Sequence, residues 1–480
     1  MSLQALLSAR AYQEGRAVRS ALVRHRSIES DPVFLVAWQN GFDPFACAAI
    51  AFGQAHAEPE LFVMSGTQDR ELEAREYAAV AERFCELFES YGAASTPIDY
   101  QGHKLEVPVW PAQLVIANNA TLRLLGRIGR RLAGAPRPSG GHPPDEATQR
   151  LLRRFACHLL WLARYADLPG QQIALSCTDF LNAHWATALS TLECESLFAL
   201  EAWIAPPGRM GGFDAAVAAE RFSAGPQLKP EDAQTAARLY AALESARRGG
   251  GEGPAVEEAL EALRELYRGL TTPVWKLLLE IVRRERAVPG AAHLARRIER
   301  DRVAYALHLE RLERAVADPR GIRFTENARE AALRRDELER AAALLEVEEA
   351  LDDALKMLPR VLSGEAIEGE VAACTVSRTD GATVVLRTEE PCTLPPGLEL
   401  WWSGAPTGRG WSIERIEPGA RVEAAGTGSK VTLAQPIRKD PAGCPTPGDR
   451  ALFSPLHFDD HLSYGLSLPA RAPWTHRPGA

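Results

Sequence analysis

Arg123, Arg127, Arg130 and Arg131 recur at helical spacing in the segment NNATLRLLGRIGRRLAG (118–134). On a helical wheel they share one face, while Leu124, Leu125, Ile128 and Leu132 take the opposite one. A row of guanidinium groups suits phosphate oxygens, which it meets through charge-assisted, often bidentate hydrogen bonds. The same row also serves a surface helix whose arginines pair with carboxylates elsewhere. Asn119 or Thr121 can cap the start of this helix. Gly126 and Gly129 each cost about 1 kcal/mol relative to alanine in a helix interior, so they imply close approach by another backbone or a ligand. Arg150, Arg153 and Arg154 follow a short way on and extend the basic patch.

A second set of polar residues falls where strands should end. Asn40 and Asp43, Ser65, Thr67 and Asp69, and Asn118 and Asn119 each follow an apolar run. In open α/β sheets ligands bind at the carboxyl ends of strands, so these residues can line a small polar pocket. They are also the residue types that helix N-caps require. Capping is the simpler expectation.

Other groupings are weaker. His457, Asp459, Asp460 and His461 offer imidazole and carboxylate donors, but Pro455 and the sequence after it do not promise the helix that would align them. Cys157 and His158 are adjacent, and on a helix they point about 100° apart, so they form no nucleophile–base dyad by themselves. Trp401 and Trp402 alternate on one expected strand, one inward and one outward. With Trp411, Arg409 and Lys430 they define a possible partner-binding face.

The common catalytic signatures are absent: there is no GxxxxGK[ST], HExxH or GxSxG, and no GxGxxG follows a strand. No cofactor or metal is expected. The formal net charge of −8 argues against coating nucleic acid with the whole surface and leaves room for a local basic patch. No apolar run approaches the roughly 18 to 20 residues that span a bilayer. The eight cysteines include no CxxC pair, which favours reduced thiols in a cytoplasmic protein. The Arg-rich first 27 residues resemble a targeting presequence, yet Leu7, Ala11, Val18 and Leu22 also fit a docked first helix.

The elements that must position these residues point to a multidomain α+β chain with three parts. Residues 1–134 read as a small α/β region. PVFLVAW (32–38), LFVMS (61–65), KLEVPVW (104–110) and AQLVIAN (112–118) have strand character, and ACAAIAFGQAHA (46–57) has helical character. After the Pro/Gly-rich break at 134–146, residues 147–362 read as a large helical domain, with helix starts at Pro273 and Pro289. It should end in a long hairpin, with Glu326–Leu362 as one strut packed on the helix of 290–317. Dense turn signals from Gly364 predict a small β-barrel-like module over 365–456 and an extended tail over 457–480.

The functional expectation is a non-catalytic scaffold or adaptor in a multiprotein assembly, one that handles nucleic acid through the arginine face. Protein partners would dock on the helical region and the β-module. The alternatives are an enzyme of unfamiliar type with its pocket at the strand ends, and a structural homo-oligomer built on the 290–362 helices.

Overall fold

Val33–Gln39 runs through the middle of a five-stranded sheet, and its side chains alternate between two cores. Val33, Leu35 and Ala37 face one, and Phe34, Val36 and Trp38 face the other. Burial on both faces explains why this stretch reads as an unbroken apolar run. The computed structural model describes residues 3–41, 43, 45–66, 70–133, 144–248, 253–318, 326–377, 381–390, 392–404, 410–422, 426–435 and 444–456. The chain divides into two compact units, one spanning residues 7–341 and one that starts at Ala342 and contains a barrel.

In chain order the elements begin with α1 (Leu3–Glu14), β1 (Val18–Arg19), β2 (Val33–Gln39), β3 (Cys47–Gln54) and β4 (Glu60–Val63). Next come α2 (Arg70–Ser90), β5 (Ser95–Tyr100), β6 (His103–Pro108), β7 (Leu114–Ile116), α3 (Asn119–Ala133) and α4 (Glu146–Tyr165). Then β8 (Ala174–Ser176), α5 (Cys177–His184), β9 (Trp185–Ala186), α6 (Leu197–Ile204) and α7 (Gly212–Ala219) follow. Three longer helices, α8 (Pro230–Arg248), α9 (Pro254–Arg286) and α10 (Leu294–Ala317), precede α11 (Ala328–Asp352).

The sheet order is β4-β3-β2-β7-β8. The β3 strand runs antiparallel to both its neighbours, β4 and β2, while β2, β7 and β8 run parallel. Helices α2, α3 and α4 cover one face around Phe84, Phe88 and Phe155, and α5 and α9 cover the other around Phe180, Trp275 and Leu278. The β5–β6 hairpin stands apart from this sheet, with Leu105 and Val107 packed on Ala306 of α10. No described helix is long and apolar enough to cross a membrane.

Several expectations change here. ACAAIAFGQAHA is not helical: Cys47–Gln54 pairs antiparallel with β2. Its alanines favour a helix locally, but their small side chains fit a strand sandwiched between two helical layers, so packing overrides propensity. The break at 134–146 does not separate two compact units. The chain beyond it supplies β8 to the sheet and α4 to the core. Pro273 lies inside α9 rather than at a helix start. The turns around it are pinned by buried Thr271, Val274, Trp275 and Leu278, with Trp38 Nε1 donating to Thr271 Oγ1 at 3.0 Å. The α10 helix packs chiefly on β6 and α4 instead of forming a close hairpin with α11.

In the second unit the expected continuous strut breaks at Asp353. This residue leaves the helical conformation (φ −134°, ψ 116°) and caps α12 (Ala354–Ser363) by accepting from Leu355 N. Met357 and Val361 of α12 pack with Ala350 and Ala366. The barrel follows: β10 (Ile367–Ser377), β11 (Gly381–Thr388), β12 (Glu399–Trp402), β13 (Trp411–Val422), β14 (Gly426–Gln435) and β15 (Arg450–Ser454). It closes in the order β10-β11-β14-β13-β12-β15, every pair antiparallel. Closure leaves no unpaired edge. Val371, Val384, Leu386, Ile413, Val431, Leu433 and Phe453 fill its interior.

The two glycines of α3 meet α4. A Cβ on Gly129 would sit 3.2 Å from the Ala156 carbonyl oxygen and 3.0 Å from Leu160 Cγ, and one on Gly126 would sit 3.0 Å from Ala163 Cβ. The close approach anticipated for them is therefore to a helix backbone. Gly129→Val should overpack this crossing and lower stability by about 1–3 kcal/mol, measured by chemical denaturation. An unchanged midpoint would show that α3 and α4 separate freely.

Candidate functional site

The arginine-bearing flank of α3 faces a cleft of about 1200 Å³ whose other walls are α4, α10 and the start of α11. The helix begins at Asn118, whose Oδ1 accepts from Thr121 N at 3.1 Å and whose Nδ2 donates to Gly225 O at 2.7 Å. From this cap, Leu124, Leu125 and Ile128 turn into the core, and Arg123, Arg127 and Arg130 turn into the cleft. Three further arginines line it: Arg164 on α4, Arg311 on α10 and Arg334 on α11.

These six guanidinium groups fall into two classes. Arg164 pairs with Glu326 at 2.7 Å, and Arg334 pairs with Asp167 at 2.9 Å while donating to Arg164 O. Arg123, Arg127, Arg130 and Arg311 have no carboxylate partner among the described residues; Arg127 makes only a 3.4 Å bond to the Arg123 carbonyl, along its own helix. The remaining acid in the lining, Asp179, accepts from Asn119 Nδ2 at 2.5 Å. The lining thus carries six arginines against Asp167, Asp179 and Glu326, an excess of three positive charges.

The apolar floor includes Leu122, Leu160, Trp161 and Leu312, with His308 set among them. His308 stacks on Trp161, ring centroids 4.2 Å apart and planes within 6°. Behind it runs a buried chain. His308 Nε2 lies 2.9 Å from His158 Nδ1, and His158 Nε2 lies 2.8 Å from Glu89 Oε1. An ionised carboxylate only accepts, so His158 Nε2 carries the proton and His158 Nδ1 accepts from His308 Nε2–H. Glu89 also receives both Arg154 Nε and Nη2, each at 2.6 Å. Burial alone would raise the Glu89 pKa, but its bonds from Arg154 and His158 overcome that and hold it at about 2. Burial pushes both histidines below the usual imidazole range, and for His308 the neighbouring His158 and Arg311 push it further. Both are neutral, so the floor adds no charge to the cleft.

Cys85, Glu89 and His158 place one ligand atom each within 4.8 Å of one another, a donor set that can hold a transition metal. As arranged, both His158 nitrogens are bonded, Glu89 is clamped by Arg154, and burial raises the Cys85 thiol to about 12. The group is a satisfied hydrogen-bond network. Cys157 lines the cleft with its thiol raised by burial to about 11 and makes no bond to His158.

No family model, no curated protein and no solved structure matches the chain. The site must be read from its own chemistry.

Of the sequence-derived residues, Arg123, Arg127 and Arg130 come together in the cleft. Arg131 does not: it pairs with Asp43 at 2.5 Å and Glu73 at 2.7 Å. Arg154 is internal, tied to Glu89 and to Glu313 at 2.5 Å, and Arg150 meets Glu313 at 3.5 Å. Arg153 is half-buried on α4, outside the cleft lining. The strand-end pocket gains no support. Asn40 is buried, Asp43 accepts from Phe45 N at 2.8 Å besides holding Arg131, and Thr67 and Asp69 lie outside the described residues. Trp411 is no docking residue; it is 2% exposed, edge-on to Phe453 in the barrel core. Trp401 and Trp402 are both half-buried, and of the two it is Trp402 that packs against the barrel core. Lys430 pairs with Glu417 at 3.6 Å. Arg409 and the 457–461 cluster lie outside the described residues.

Sequence reading missed Arg164, Arg311, Arg334 and the Glu89–His158–His308 chain. Spacing within α2 and α4 shows Cys85/Glu89 and Arg154/His158 as i, i+4 pairs, but nothing local joins them to His308.

The buried network sets a pH dependence. The unfolded chain protonates its histidines near pH 6.5, and the folded chain resists until lower pH. Stability should therefore be complete above pH 6.5 and fall as pH drops below it. The Glu89 contribution is present above its ordinary value of 4.5 and is lost as pH falls from there towards about 2. Thermal melts from pH 8 to 4 should show Tm declining below 6.5, with a smaller decline in His308→Gln. A flat profile would contradict this assignment.

Proposed function

We propose that the protein is a non-catalytic adaptor that grips a phosphate-bearing polymer in the α3/α4/α10 cleft. The observation that carries this reading is the set of four arginines without carboxylate partners among the described residues, Arg123, Arg127, Arg130 and Arg311, facing one concave space. Most other arginines near the cleft are neutralised within the fold, as Arg131, Arg154, Arg164 and Arg334 are. A protein with 63 acidic residues and 55 basic ones had ample carboxylates to pair these four as well. Leaving them free keeps donors available to an incoming anion.

The spacing of the arginines supports a polymer over a single small anion. Arg123 to Arg130 spans roughly 10 Å of helix at 1.5 Å per residue, which exceeds the reach of one phosphate group. Nucleic acid within a larger assembly is the ligand this arrangement suits. The barrel is the second module of the adaptor. Its closed ladder offers no edge for strand addition, so a protein partner would dock on side chains such as Trp401 rather than on backbone.

Titration calorimetry with inorganic polyphosphate tests the reading. Combined Arg123→Glu, Arg127→Glu and Arg130→Glu should weaken binding at least tenfold without lowering Tm, since among the described residues these side chains make no stabilising ion pair. Arg75→Glu, on the exposed face of α2, should bind as the parent does. Equal affinity of the triple variant and the parent would refute the cleft as the binding site.

A further inference from the structure

We infer that the cleft takes a single nucleic-acid strand, DNA or RNA, and reads its phosphates rather than its bases. This rests on the phosphate-cleft reading above and narrows it. A helix that reads duplex DNA must stand clear of its domain to enter a major groove about 12 Å wide. The arrangement of α3 is the opposite. Its apolar flank is buried in the core, Gly126 and Gly129 press it on α4, and its arginines point into a cleft also walled by α10 and α11. This concave setting favours one flexible strand, which can lie along Arg123, Arg127 and Arg130 between the flanking helices.

Strand recognition without sequence preference usually combines a cationic groove with aromatic faces on which bases stack. Here the groove is present and the platform is not. Among the described residues the aromatic side chains of the lining are His308 and Trp161, and the Trp161 ring is stacked with His308 at 4.2 Å and with Tyr165 at 5.2 Å. The amide of Asn119, which would otherwise read a base edge, donates to Asp179. What remains open to a ligand is guanidinium. Affinity should therefore come from phosphate contact, strongly dependent on salt and indifferent to sequence.

Fluorescence anisotropy on the 480-residue chain separates the possibilities, with labelled oligothymidylate and oligouridylate, a mixed-sequence single strand and a duplex as probes, each about 20 nucleotides or base pairs long, enough to span several phosphate contacts. The three single strands should bind within about threefold of one another and the duplex at least tenfold more weakly. At about 0.7 per phosphate contacted by a single strand, four arginines set a slope of log K against log salt of roughly −3. The Arg123→Gln, Arg127→Gln, Arg130→Gln variant should bring it to roughly −1. A duplex that binds as tightly as the single strands, or a tenfold preference among sequences, would overturn the inference. Unlabelled inorganic polyphosphate distinguishes the two levels of the argument. If it binds and the triple variant releases it while no oligonucleotide binds, the single-strand inference fails and the phosphate-cleft reading stands. If neither polyphosphate nor oligonucleotide binds, both fall.

Discussion

The cleft exists because two helices touch where one of them has no side chains. Gly126 and Gly129 bring the α3 backbone within a side chain's thickness of Ala156, Leu160 and Ala163 on α4. That contact fixes the rotation of α3 about its own axis. Once Leu124, Leu125 and Ile128 are committed to the sheet core and the glycines to α4, Arg123, Arg127 and Arg130 have one direction left. A bulkier residue at either glycine would splay the pair and scatter the arginines. The cost of about 1 kcal/mol per glycine in a helix interior is thus offset by a close helix crossing that also orients the site.

Electrostatics then separates structural arginines from available ones. Around the cleft the fold supplies carboxylates to Arg131, Arg154, Arg164 and Arg334. The Glu89–His158–His308 chain satisfies the buried polar groups beneath the floor without placing charge there. A cationic imidazole at His308 would add to the repulsion among the arginines, and burial keeps it neutral. The result is a basic surface of limited extent on a chain whose net charge is −8. That combination disfavours general adhesion to polyanions by the whole surface.

Much of this was legible in the sequence, and the boundary follows physical range. The arginine face and the tight approach at the glycines depend on positions within one helix, where the 3.6-residue period governs; the glycine approach is present, and so is the face apart from Arg131, which Asp43 and Glu73 draw away. The α+β class with a terminal barrel followed from strand and turn patterns and is present too. What sequence did not show depends on partners far along the chain. The strand β3 looks helical until β2 is beside it. The break at Asp353 takes a cap that helix propensity alone does not call for. Trp411 resembles a surface anchor until the barrel closes over it. The division of arginines into paired and free was also hidden, because Glu73, Glu89, Glu313 and Glu326 reach them only through the tertiary fold.

The most direct measurement is arginine footprinting. The folded protein would be treated with an arginine-selective dicarbonyl reagent, with and without inorganic polyphosphate, and each site read by peptide mass spectrometry. The account predicts that Arg123, Arg127, Arg130 and Arg311 react readily in the free protein and are shielded together by polyphosphate. Arg75 and Arg335, exposed and paired with Glu71 and Glu339 on their own helices, should react equally in both conditions. Shielding spread evenly over all exposed arginines, or none at those four, would contradict it.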